Sequence, residues 1–161
     1  MKSNLISILF VCICLGVGGV LYYYYRVAPE MEISNLELKD LKENSFNSYL
    51  LEGKIVIVSF YKSWCGPCMR ELINFEKLSK LHKNQVVFLC ISDEQIEIQR
   101  RVVERFSEGN LFFLQSSKQF EDLKIRTFPT NYIIDKNGKV VFKSASGNGI
   151  SQEELKDYFT D

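Results

Sequence analysis

The chain has 161 residues, 20 basic and 20 acidic side chains, no formal net charge and a 46% apolar composition. That length suits one domain with a sizeable core and is short for two. The neutral balance gives no electrostatic reason to expect nucleic acid or a polybasic membrane contact, and five cysteines, at 12, 14, 65, 68 and 90, are too few and too unevenly placed for a disulfide framework.

Residues 5–25, LISILFVCICLGVGGVLYYYY, carry no charge. At a helical rise of about 1.5 Å per residue they span roughly 30 Å, the hydrocarbon thickness of a bilayer. Residues 1–4 then form a short cytoplasmic N-terminus. Lys2 and Arg26 flank the span, and Tyr22 to Tyr25 fall where amphipathic rings favour a membrane interface. A transmembrane signal anchor is the favoured reading, with the rest of the chain on the periplasmic or extracytoplasmic side. Its main rival is a cleaved secretory signal, since Gly16 and Gly18 offer small residues after an apolar stretch. A lipoprotein signal at Cys12 or Cys14 and a buried core helix fit less well.

Residues 26–32, RVAPEME, read as a linker, and a soluble domain follows from Ile33 to Asp161. KIVIVSFY at 54–61 is a nearly continuous β-branched and aromatic run, the pattern of a strand buried on both faces. Pro67 to Leu81 places Met69, Leu72, Ile73, Phe75, Leu78 and Leu81 at helical spacings. QVVFLCIS at 85–92 predicts a second buried strand, 93–107 a helix, LFFL at 111–114 a short strand, and 118–125 a short helix. TNYIID and KVVFKS flank Asn137-Gly138, a strong hairpin signal. A last helix begins after Ser151, with Glu153 and Glu154 suited to its positive end. The alternation predicts an α/β sandwich with a mixed sheet.

The segment SFYKSWCGPCMREL, at 59–72, sets Cys65 and Cys68 two residues apart between a predicted strand and helix. Such a pair is weakly specific by itself. Structural zinc requires four ligands, and beyond the pair the domain offers only Cys90, inside a strand, and His82, the sole histidine. A purely structural disulfide would close a very small loop and constrain the unfolded chain little. Redox exchange explains the spacing better. With the helix starting at Gly66 or Pro67, Cys65 becomes its N-cap, where unpaired N–H groups and the dipole stabilise a thiolate. Its pKa is expected below the free value of about 8.5. Pro67 suits the first helical turn, and Cys68 lies close enough to attack a sulfur attached to Cys65.

WCGPC at 64–68 resembles thioredoxin, and more closely the membrane-anchored thioredoxins of the TlpA/ResA type. The resemblance runs from near Ile33 to the end and includes TFPTNYIIDKNGKVVF, where such proteins carry a cis-proline, here Pro129. It implies a thioredoxin-like sandwich with a helix-strand insertion at about 93–115. It also implies a thiol–disulfide oxidoreductase needing no metal or organic cofactor, with Cys65 attacking and Cys68 resolving. Thioredoxin's buried Asp six residues before the first cysteine is replaced by Ser59, whereas Glu71 matches a Glu of the anchored group and becomes the candidate proton acceptor. A solvated Glu in a helix's first turn is the alternative. Ile73 stands where that group tends to have proline.

The same resemblance implies a substrate edge formed by Trp64, Gly66, Pro67, Phe128, Pro129 and Thr130. Trp64 reads as an apolar rim and Phe128 as a flank of the groove, each with core packing as the alternative, while Thr127 and Thr130 also suit local backbone bonding. Cys90 reads as an inert buried thiol, Cys12 and Cys14 as facing lipid or a neighbouring helix, and His82 as a favourable helix-end charge. The expected partners are a disulfide-containing protein substrate and a membrane thiol-electron donor. A single-pass anchor and a monomer are expected, with no nucleic acid. Cytochrome c maturation, disulfide repair and stress-linked thiol reduction are all compatible. Two other classes stay open: a non-catalytic binding module of the same fold, and a copper-delivery protein.

Overall fold

The computed structural model describes residues 2–26, 28–82, 85–106, 110–145, 150 and 152–159. Helix α1 spans Lys2–Arg26, and its stretch Ile6–Tyr23 has a mean hydropathy of 2.3 with none of it buried. It is long and apolar enough to cross a membrane. Cys12 and Cys14 are exposed on it.

Six strands form one mixed sheet: β1 (Leu38–Lys39), β2 (Ile55–Phe60), β3 (Val86–Ser92), β4 (Leu111–Ser116), β5 (Thr130–Ile134) and β6 (Val140–Ser144), in the order β1-β4-β3-β2-β5-β6. The β2/β3 and β3/β4 pairs are parallel; β5 pairs antiparallel with β2 and β6, and β1 with β4. The other helices are α2 (Gly66–Leu81), α3 (Ile96–Val103) continued by a 3-10 turn at Glu104–Phe106, and α4 (Gln152–Phe159). This is the thioredoxin-like α/β architecture, and α3 and β4 occupy the segment expected to hold the insertion.

The central strands feed two cores because side chains alternate across a pleated sheet. Ile55 and Ile57 of β2, with Phe88 and Cys90 of β3, pack under Leu72, Phe75 and Leu78 of α2, joined by Val102, Phe106 and Leu155. Val56, Val58 and Phe60 point to the other face. There the cover comes from Ala28, Leu38, Phe120 and Ile125, with Met31 and Leu36 packed alongside. Segment 26–32, expected to be a linker, therefore contributes to the second core: Ala28 is buried, and the Tyr132 hydroxyl donates to the Pro29 carbonyl at 2.8 Å.

Two expected helices differ. The helix expected at 93–107 starts at Ile96, because the Asp93 and Glu94 side chains are engaged with groups elsewhere in the fold; Ser107 lies outside the described residues. Residues 118–125 form successive turns instead of a helix. Lys124 sits at φ +60°, and the Ile125 N–H closes back on the Phe120 carbonyl at 2.8 Å, which buries Phe120 and Ile125. The β5/β6 hairpin turns at Gly138, whose φ of +80° suits a residue without Cβ. Asp135 Oδ1 accepts the N–H groups of Asn137 and Lys139 there, each at 2.9 Å.

Candidate active site

The site begins where β2 ends and α2 starts. Cys65 has extended backbone at the N-cap, Gly66 and Pro67 open the helix, and the Cys65 sulfur accepts the Cys68 N–H at 3.2 Å. The two cysteines are joined by a disulfide, with Cα atoms 5.3 Å apart. Cys68 is fully buried and Cys65 is 5% exposed, so the outer sulfur is the one a partner can reach. The preceding loop is tied to the end of β3: Glu94 accepts the Ser63 N–H at 2.7 Å and its hydroxyl at 2.8 Å.

The Phe128–Pro129 peptide bond is cis. Phe60 of β2 faces Thr130 of β5, and this register brings Pro129 to the sheet end that carries the dithiol. Phe128 packs against the core cluster that contains both cysteines. Trp64 is 73% exposed, and its ring stands nearly perpendicular to that of Phe128 with centroids 6.1 Å apart. Trp64 is therefore surface rather than core filler. Thr130 Oγ1 donates to the Thr127 carbonyl at 2.6 Å, so its hydroxyl is occupied within the loop.

Glu71 lies one helical turn beyond Cys68 and is only 4% exposed, which removes the alternative of a solvated carboxylate. Oε2 accepts the Ser59 hydroxyl at 2.8 Å; Oε1 accepts Asn131 Nδ2 at 2.7 Å and the Ile150 N–H at 2.8 Å. Burial pushes its pKa up to about 7, against the pull of those three donors. Cys90 lies beside Ser59 in the β2/β3 register, and burial followed by the nearby Glu71 charge raises its thiol well above the usual range. Asn131 Oδ1 is buried with no hydrogen-bond partner among the described residues.

Asn131 and Ile150 were not among the sequence candidates, nor were Lys62 and Asp93, which form an ion pair beside the dithiol loop. The available signals were a polar residue inside the apolar run TNYII and charges at the ends of two adjacent buried strands. Nothing in the sequence marks Ile150, whose contribution is its backbone N–H. Among the described residues, no group of three or more His, Cys, Asp or Glu side chains is placed to hold a metal ion.

Comparison with known proteins agrees with this geometry. The Redoxin family profile matches residues 27–160. A thiol-disulfide oxidoreductase ResA of Bacillus cereus is 25% identical over 169 residues, covering 98% of this chain and 96% of that protein. The thioredoxin-like protein YneN of Bacillus subtilis is 26% identical over 149 residues, covering 87% and 88%. Among solved structures, a secreted Mycobacterium tuberculosis disulfide oxidoreductase homologous to Escherichia coli DsbE superposes with a TM-score of 0.62 at 18% identity, covering 81% of this chain and 97% of that one. StoA from Bacillus subtilis gives 0.54 at 23%, covering 75% and 92%. With a matched family profile over most of its length and a cysteine pair at the tip of α2 in a thioredoxin-like fold, the chain belongs to the Redoxin family and is similar to ResA-type thiol–disulfide oxidoreductases.

Proposed function

We infer that the chain is a thiol–disulfide oxidoreductase, tethered by α1, whose Cys65–Cys68 dithiol reduces disulfides in extracytoplasmic proteins. The carrying observation is the disulfide at the N-cap of α2, with the Cys68 N–H directed at the Cys65 sulfur. A helix N-terminus that points N–H groups at a sulfur stabilises it as a thiolate leaving group or nucleophile.

In the reducing direction, the Cys65 thiolate attacks one sulfur of a substrate disulfide and the other substrate sulfur leaves as thiolate. Cys68 then gives up its proton, for which Glu71, one turn along α2, is the acceptor. The new thiolate attacks the Cys65 sulfur and expels the second substrate thiolate. The substrate gains two electrons and, in water, two protons; the chain is left with its disulfide. Trp64 and Phe128 form the apolar lip on which a partner rests, and the backbone beside Pro129 pairs with an extended segment as an added strand would. Gly66 and Pro67 complete this edge, and Thr130, 1% exposed with its hydroxyl bonded within the loop, supports it from behind.

Reduction is favoured because Gly66-Pro67 between the cysteines resembles thioredoxin, near −270 mV, rather than the strong oxidants near −120 mV. An oxidising extracytoplasmic space then requires a thiol donor in the membrane to return the pair to the dithiol. The ResA relatives support the assignment, and α1 supports the anchor. The test is a trap: Cys68→Ala is expressed in the native membrane, thiols are quenched with acid, and proteins disulfide-linked to Cys65 are identified. Adducts with extracytoplasmic proteins are expected. Absence of any adduct together with full biological activity would overturn the assignment.

A further inference from the structure

Two charged residues leave the ends of neighbouring parallel strands on the side of the dithiol. Phe60 of β2 is registered against Ile91 of β3, and the Tyr61 N–H extends the pairing by donating to the Ile91 carbonyl at 2.9 Å. Lys62 and Asp93 therefore emerge together. The Asp93 side chain has no exposure and that of Lys62 only 17%. Asp93 Oδ1 accepts the Lys62 ammonium at 2.5 Å, and Oδ2 accepts the Phe120 N–H at 2.9 Å.

The same ammonium stands 5.0 Å from the centroid of the Phe120 ring and 5.7 Å from that of Phe128. The two rings lie 5.7 Å apart, and Phe128 carries the edge contact to Trp64. A buried carboxylate thus fixes a cation, and the cation holds two aromatic faces by their quadrupoles. One of those faces belongs to the residue bonded in cis to Pro129.

We propose that the Lys62–Asp93 pair positions the Phe128 side of the docking lip against the dithiol, and that it governs recognition of polypeptide disulfides rather than the exchange chemistry. This rests on the reading of Trp64 and Phe128 as the lip on which substrate lies. Lys62 and Asp93 are positioning residues: they act through Phe120 and Phe128. A hydrophobic residue at 62 would fill the space, but it would not hold the two ring faces to one fixed point.

The experiment uses the full chain in detergent, with Cys12→Ser and Cys14→Ser so that neither exposed thiol releases colour, pre-reduced and freed of reductant. Two disulfides are offered: a short extended peptide whose single cysteine is linked to thionitrobenzoate, and free cysteine linked to the same group. Cys65 attacks the cysteine sulfur in each, the coloured thiolate leaves, and Cys68 completes the exchange, so only recognition differs. The main variant is Lys62→Met combined with Asp93→Asn, which removes both charges together and keeps an oxygen for the Phe120 N–H. With the peptide, its half-saturation concentration should rise about tenfold, while the limiting rate and the rate with free cysteine stay within about twofold. Lys62→Arg alone, which keeps Asp93 and a cation over the rings, should retain the wild-type value. Should the double variant not fold, Phe120→Leu keeps both charges, removes one ring and should raise the same constant in part. An equal slowing on both compounds, or an unchanged half-saturation concentration for the peptide, overturns the inference. A wild-type chain that releases colour from neither compound overturns the oxidoreductase assignment instead.

Discussion

The Asn131 amide meets the Glu71 carboxylate at 2.7 Å, joining β5 to α2 behind the dithiol. The contact matters because Glu71 is 4% exposed, with Cys68 one turn before it and the Cys90 thiol on the same face of the sheet. A carboxylate so placed loses hydration that three hydrogen bonds only partly replace, and its pKa rises from 4.5 to about 7. Above that pH the group is an ionised acceptor for a thiol proton; below it the group already holds one.

The first prediction follows from linkage. Below 4.5 Glu71 is protonated in both folded and unfolded chains; between 4.5 and about 7 the unfolded chain releases the proton that the folded one retains. Stability therefore falls as pH rises through that window and stays lower above it, by about 3 kcal/mol at most. Glu71→Gln keeps an oxygen for Asn131 and the Ile150 N–H, turns its NH2 toward the Ser59 oxygen, and removes the slope. Urea unfolding should show the variant gaining on wild type from acid to alkaline pH. A constant difference between the two at every pH would refute the assigned titration.

If Glu71 takes the Cys68 proton, Glu71→Gln should slow resolution of the mixed disulfide on the order of 10²-fold on the alkaline side of 7. Attack by Cys65 should be little changed. Stopped-flow release of the second thiol, followed against pH, separates the steps. The pH dependence near 7 should disappear in the variant, and an unaltered profile would remove Glu71 from the proton path.

Cys90 gives a third test. It is fully buried, and burial with the Glu71 charge beside it disfavours its thiolate. After reduction, iodoacetamide should label Cys65 in the native chain and reach Cys90 only in urea. Mass spectrometry of peptides from a Cys12→Ser, Cys14→Ser background reads this directly. Labelling of Cys90 at the rate of Cys65 would mean that the core opens at the sheet centre.

The cysteine pair at a strand-to-helix junction and the central strands were legible because each depends on neighbours in sequence, whereas Pro129 beside the dithiol was legible only through the family resemblance. IVIVSF is buried along its length, and Asn137-Gly138 forms the hairpin turn. What escaped depends on tertiary position. Leu38–Lys39 is too short to announce itself and becomes β1 only by pairing with Ser116 and Gln115. Residues 118–125 have helical spacing, yet Lys124 in the left-handed region ends the turn after one winding. Glu71 was singled out through the resemblance, but the sequence left open whether it is solvated, since Asn131 and the Ile150 N–H reach it from 60 and 79 residues away.

Phe75 links the core to the site. It is 1% exposed on α2, between the turn bearing Glu71 and the body of the helix, and its ring centroid is 5.1 Å from that of Phe88. Phe75→Ala should cost about 3–5 kcal/mol, by lost transfer energy and the cavity left under α2. Denaturant unfolding measures it. Since that helix presents Cys65, a loss under about 1 kcal/mol would mean that α2 is held mainly by its ends.

The segment between α1 and the sheet is held by Tyr132 more than by charge. Its hydroxyl donates to the Pro29 carbonyl at 2.8 Å, while its 2% exposed ring packs edge-on against Phe60 at 5.9 Å. Lys143 also pairs with Glu30, but that carboxylate is 88% exposed, and an exposed ion pair contributes little. Tyr132→Phe preserves the ring and removes only the hydrogen bond, so the chain should lose about 1 kcal/mol. Limited proteolysis within residues 28–36 should quicken accordingly, because the Pro29 carbonyl bond lies between Ala28 and Met31, which pack on the second core. Glu30→Gln should leave the cleavage rate unchanged. The reverse order of effects would assign the docking to charge, and the distance between α1 and the dithiol would then vary with ionic strength.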